Sequence, residues 1–297
     1  YALSANTTAD NNTGIGYHVL IANTTGAENT SVGSLSSDAL TTGNGVVAVG
    51  YKALSSDTKG NRAVALGHET LANQNFTTST NNYNVAVGFQ AMNVNTTGLY
   101  NVAVGGLALD ANTTGQNNVA IGTDALGANT TASSNVAVGS FSLDANTTGA
   151  DNVAIGTNAA TNQTTASHNT IVGASAGATV TDASSCILIG REANISSSGN
   201  SELVIGNSVV GKGDNTGFIA PPGGGNLFQA SNTTTFAQVS DARIKKNIVD
   251  NNEGLSKLKY IQVRNFEYKT EDEITELPTY TAIKKEGLQL GVIAQEV

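Results

Sequence analysis

The chain has no tryptophan, one cysteine, three prolines and only 12% charged residues across 297 positions. A lone thiol, Cys186, excludes an internal disulfide framework and, in a slot usually held by Asn, reads as a buried structural group. Aromatic residues at 5% are too few for an ordinary enzyme domain. No apolar run approaches the roughly 20 residues that cross a bilayer, so no membrane span is expected. Positive charge is scarce: residues 1–206 carry 4 Lys/Arg against 12 Asp/Glu, with no basic stripe for phosphates, which argues against a nucleic-acid partner. Neither a metal nor a cofactor is expected. His18, His68 and His168 fall in three different repeat slots, and the Gly-Gly-x-Gly-x-Asp calcium repeat does not occur.

Gly, Asn, Thr, Ser and Ala fill the space instead, and they do so periodically. Gly16, Gly33, Gly50, Gly67, Gly88, Gly105, Gly122, Gly139, Gly156, Gly173, Gly190 and Gly206 each close a short apolar run. Their spacing is 17 residues, except 21 between Gly67 and Gly88 and 16 before Gly206. A fixed period of this length marks a stacked architecture rather than a disordered polar tract. The first residues, Ala2-Leu3 and Asn6-Thr7-Thr8, already occupy repeat slots, so the chain reads as part of a longer polypeptide.

Asn101–Asn117, NVAVGGLALDANTTGQN, shows the consensus. Side chains alternate along a strand, so Val-Ala-Val is apolar on both faces. A coil's own lumen covers one face; the other needs an outside partner, and the same strand of an identical chain is the simplest. Gly supplies a positive φ or a close backbone approach at the strand end, and Asn-Thr-Thr-Gly a second turn. The small-Leu pairs, such as Ala108-Leu109, should fill the lumen as a second short strand or corner. Asn recurs four positions before the glycine in eight of the twelve repeats, from Asn12 to Asn169, a spacing suited to a stacked side-chain ladder. The long interval should bulge near Phe76–Tyr83, and Tyr17, Tyr51, His68 and Phe89, each following its glycine, should line one edge as turn packing or a receptor-binding stripe.

Asn118-Val119-Ala120-Ile121-Gly122 and Asn152-Val153-Ala154-Ile155-Gly156 resemble the Asn-Ser-Val-Ala-Ile-Gly motif in the head of YadA-type trimeric autotransporter adhesins. The resemblance covers residues 1–206 and implies a mainly β fold, a parallel β-roll or β-solenoid of 17-residue coils assembled as a homotrimer.

After Gly206 the period stops. Residues 207–239 read as a neck or trimerisation linker around Pro221-Pro222-Gly223-Gly224-Gly225. Residues 240–297 change to a charged, mixed α/β composition. Leu255, Leu258 and Ile261 suit a helix, Ile261, Val263, Phe266 and Tyr268 a following strand, and Gly291–Val297 the start of another helix. Ser240 and Lys245 form one constellation with covalent potential, since a lysine of depressed pKa can take a serine proton; the plain alternative is an N-cap followed by a solvated basic face.

Ser240-Asp241-Ala242-Arg243-Ile244-Lys245-Lys246-Asn247-Ile248 resembles the opening motif of the endosialidase-type intramolecular chaperone domain, and Gly291–Val297 resembles that family's later Gly-x-Ile-Ala-Gln-Glu-Val segment. The resemblance implies the first half of a trimerisation chaperone of phage tail fibres and tailspikes that cuts itself off after folding. By that pattern the scissile bond is Val239-Ser240, Ser240 is the nucleophile and Lys245 the general base, ahead of Lys246, with no external substrate. It further implies a virion tail location, with a host cell-surface glycan or protein receptor and other tail proteins as partners; a bacterial trimeric surface adhesin is the alternative.

Overall fold

In a computed structural model, the structure describes residues 1–196, 199–221, 226–229, 237–238, 264–266 and 289–291. The chain divides into two units, Tyr1–Val239 and Ser240–Val297. Every regular element among the described residues is a β-strand, and none is a helix.

The first unit is a parallel β-solenoid of about twelve turns. Each turn contributes one three- or four-residue strand, from Thr13–Ile15 to Leu203–Gly206, and these stack in parallel in one sheet. The register follows the repeat: Val102 pairs with Val119 and Val119 with Val136. The strands are short because glycine ends each. At Gly122 φ is +136°, and a Cβ there would lie 2.6 Å from the carbonyl carbon of Gly139 in the next coil. Both the conformation and the stacking distance demand glycine.

The lumen is filled by volume exchange between slots. The central strand residue is a fully buried Ala in seven coils, among them Ala103, Ala120 and Ala137, and faces buried Leu109, Leu126 and Leu143. Where the strand centre enlarges to Ile171 and Leu188, the facing slots shrink to Ala160 and Gly177. Leu109 and Leu126 belong to a turn, not a second strand, and take left-handed φ values of 56° and 53°. Burial of the side chain offsets the ~1–2 kcal/mol cost of that conformation for a non-glycine residue.

Two asparagine columns tie coil to coil: the one the spacing points to has a side-chain link from Asn152 Nδ2 to Asn135 Oδ1 at 3.1 Å, but the repeated side-chain ladder runs in the other. In the column four residues before the glycine, the side chain binds the neighbouring backbone. Asn118 Oδ1 accepts from the Asn135 amide at 3.0 Å, and its Nδ2 donates to the Ala132 carbonyl at 2.9 Å. The first Asn of Asn-Thr-Thr makes the side-chain ladder, with Asn112 donating to Asn95 at 2.9 Å and Asn129 to Asn112 at 3.1 Å. The first Thr adds a third column: Thr113 Oγ1 donates to the Thr130 carbonyl at 2.9 Å.

The long interval is less of a bulge than its length implies. Phe76 is buried, while Thr77, Thr78 and Ser79 are exposed and Gly60–Asn61 pairs in parallel with Thr80–Asn81. Buried Asp57, in the ladder slot, takes hydrogen bonds from Gln74 Nε2 at 2.8 Å, the Gly60 amide at 2.9 Å and the Phe76 amide at 3.1 Å. Desolvation raises its pKa despite these donors.

The sheet outlasts the period. Gly217–Ala220 continues it in parallel, and Leu227–Gln229 and Ala237–Gln238 then add antiparallel strands.

Candidate functional site

The outer sheet face carries two aliphatic columns. In-register pairing stacks Val49, Leu66, Val87, Val104, Ile121 and their counterparts along one, and Val47 through Val153 along the other. Among the described residues no other strand packs over them: the first column mixes exposed and half-buried positions, with Val104 at 37% and Ile121 at 40%, and the Val47–Val153 column is half-buried. A contiguous, partly exposed aliphatic surface of this kind marks an association site. The doubly apolar strand therefore has one face in the lumen and one in solvent.

The residues after the strand glycines lie where the chain turns away from the sheet, and their rings meet. Tyr51 and His68 have centroids 5.1 Å apart, and His68 and Phe89 5.5 Å, in three successive coils. Tyr17 instead stacks on His18 at 3.9 Å. A second stack, Tyr83 on Tyr100 at 5.8 Å, is not evident from the spacing because its two rings sit five residues before their glycines. Arg62 lies over Tyr83 and donates to its hydroxyl. His168 lies apart, 3.7 Å from Asp151.

Cys186 replaces Asn in the backbone-binding column. Its amide donates to Asn169 Oδ1 at 2.8 Å, its Sγ contacts the Gly199 carbonyl at 3.4 Å, and burial raises the thiol pKa. Glu202 occupies the next position of that column, almost fully buried, and accepts from the Ser196 amide and hydroxyl. A carboxylate in an asparagine slot is the sequence signal that would have singled it out.

Val239, Ser240, Lys245 and Lys246 lie outside the described residues, as do the expected helix at Leu255, Leu258 and Ile261 and residues 292–297. Within the second unit, Arg264–Phe266 is a strand, inside the segment expected to form one. It pairs antiparallel with Gln289–Gly291, Arg264 opposite Gly291. Gly291 thus lies in a strand, and the helix expected to start there falls on residues 292–297, outside the described residues.

Residues 240–297 match a peptidase family described as chaperone of endosialidase. No curated protein matches the chain, and no solved structure does.

Proposed function

We propose that this chain is part of a homotrimeric phage tail fibre or tailspike, whose solenoid attaches to a host cell surface and whose C-terminal segment chaperones assembly and then detaches. The match of residues 240–297 to a chaperone of endosialidase, in the same chain as an N-terminal β-solenoid, carries the reading. The aliphatic outer face supports it independently, because another copy of the same repeat carries an apolar column of the same period along all twelve strands. Residues 1–206 form the shaft-like repeat, 207–239 the neck and 240–297 the start of the chaperone.

In this reading Lys245 removes the Ser240 hydroxyl proton as Oγ attacks the Val239 carbonyl carbon. The Val239-Ser240 amide bond breaks, its nitrogen takes up a proton, and the resulting ester is hydrolysed by one water. The products are a Val239 carboxylate and a free Ser240 amine. Loss of the chaperone after assembly removes the low-barrier route back to the unfolded state, so the trimer gains kinetic stability.

Intact-mass analysis of the full-length protein tests this directly. A fragment beginning at Ser240 is expected, absent in Ser240→Ala and Lys245→Ala and retained in Lys246→Ala. An uncut product from the unaltered chain would refute self-processing. Light scattering on the cut material should give three copies; a stable monomer would refute the assembly.

A further inference from the structure

A surface depression lies beside the irregular interval of the solenoid. A surface pocket of about 260 Å³ is lined by Lys52, Ser55, Ser56, Glu69, Asn73 and Asn93. Its walls are held in place: Asn73 Nδ2 donates to the Asn93 carbonyl at 3.0 Å, and Asn93 Nδ2 to the Glu69 carbonyl at 2.9 Å. Two wall residues also touch the ring stack. Lys52 Nζ lies 5.4 Å from the Tyr51 ring centroid. Glu69 lies 3.9 Å from His68 Nδ1 and accepts from Gln90 at 2.8 Å. The Tyr51–His68–Phe89 platform and the pocket are therefore continuous, and Tyr51 and Phe89 remain 41% and 53% exposed.

We infer that this surface binds an uncharged oligosaccharide, one sugar unit in the pocket and its neighbours along the rings. The inference rests on the attachment reading above and supplies its ligand class. Sugar hydroxyls donate and accept at once, and the pocket offers both functions through ammonium, amide, hydroxyl and carboxylate groups. The apolar C–H face of a pyranose suits the electron-rich face of an aromatic ring. Anionic ligands are disfavoured because the Glu69 carboxylate lines the same pocket as Lys52. The pocket itself offers an apolar peptide no wall beyond Ala72, and a further copy of the chain has the aliphatic sheet face.

The test uses the assembled full-length protein on an array of neutral and acidic bacterial-surface oligosaccharides, together with adsorption to a panel of bacterial cells. Binding to at least one neutral oligosaccharide is expected. Lys52→Ala, which removes no structural hydrogen bond, and the pair Tyr51→Ala with Phe89→Ala should each weaken it at least tenfold. Phe141→Ala, a solitary exposed ring in a later coil, should leave it unchanged. Binding that survives the Lys52 and ring variants would overturn the site, as would loss of the oligomer in the ring variants, which would place those rings in the subunit interface. Cell adsorption without any array binding, or with binding to acidic oligosaccharides alone, would overturn the ligand class and spare the attachment reading. Absence of both would remove attachment as well.

Discussion

Truncating Asn118 to Ala separates the work of the two asparagine columns. The side chain is fully buried and makes two inter-coil hydrogen bonds, accepting from the Asn135 amide and donating to the Ala132 carbonyl. The two losses are unequal. The Ala132 carbonyl keeps a second donor, Asn129 Nδ2 at 3.1 Å, whereas the Asn135 amide is left buried without an acceptor. An orphaned buried amide costs about 1–3 kcal/mol and the other bond about 1 kcal/mol, so Asn118→Ala should destabilise each chain by about 2–4 kcal/mol. Adding Asn129→Ala removes the carbonyl's remaining donor. The double variant should therefore lose about 1 kcal/mol more than the sum of the singles. Urea unfolding followed by far-ultraviolet circular dichroism gives the energies, and amide hydrogen exchange at Asn135 reads the orphaned group itself. A loss below about 1 kcal/mol with Asn135 still protected, or strict additivity in the double variant, would refute this account of the staple.

Glycine sites should separate sharply. Gly122→Ala meets both a positive φ and the backbone of the next coil and should cost about 3 kcal/mol or more, while Gly106→Ala, with nothing within 4 Å of the added Cβ, should be neutral; paired thermal melts compare them. Asp38, Asp57, Asp110 and Asp144 all have pKa values raised above 3.8, chiefly by desolvation. The folded chain then binds more protons than the unfolded one, so its melting temperature should rise as pH falls from neutral towards 3.8 and level off below it; a steady fall over that range would contradict the burial of these groups. A lysine on the outer face, Ile121→Lys, should leave the solenoid's circular dichroism intact and shift light scattering towards smaller species, because the side chain is 40% exposed in one chain yet placed in the proposed interface.

The sequence made the solenoid legible because its strongest constraint is steric and local. A glycine that must approach the next coil's backbone is required in every turn, so the period survives variation elsewhere. The alternation of Val-Ala-Val likewise revealed which strand positions face inward, and Ala103 and Ala120 are fully buried as that pattern requires. The asparagine columns were visible as residues but not as partners. Both repeat along the coils, and periodicity cannot tell whether a side chain reaches a backbone group or its own copy; Asn118 does the first and Asn129 the second. Phe76 turned inward for a similar reason: an insertion's length says nothing of which residue seals it, and here buried Asp57 draws its amide in. The pocket at Asn73 and Asn93 depends on contacts 20 residues apart across the irregular interval, beyond the reach of a 17-residue pattern.

The exchange of volume between strand centre and facing turn makes some coils interchangeable and others individual. Along Asn101–Asn152 successive coils share the same Ala-against-Leu filling, so a whole 17-residue unit can be removed or duplicated there and each neighbour still meets a matching surface. At Gly177 that freedom ends. A side chain there would lie 2.8 Å from Ile171 and 3.4 Å from Leu188, and a coil transplanted from the middle would bring a leucine to the same point. Length in this protein can change by recombination between like coils near its centre, whereas the coils approaching the C-terminal strands form a fixed sequence of unlike parts.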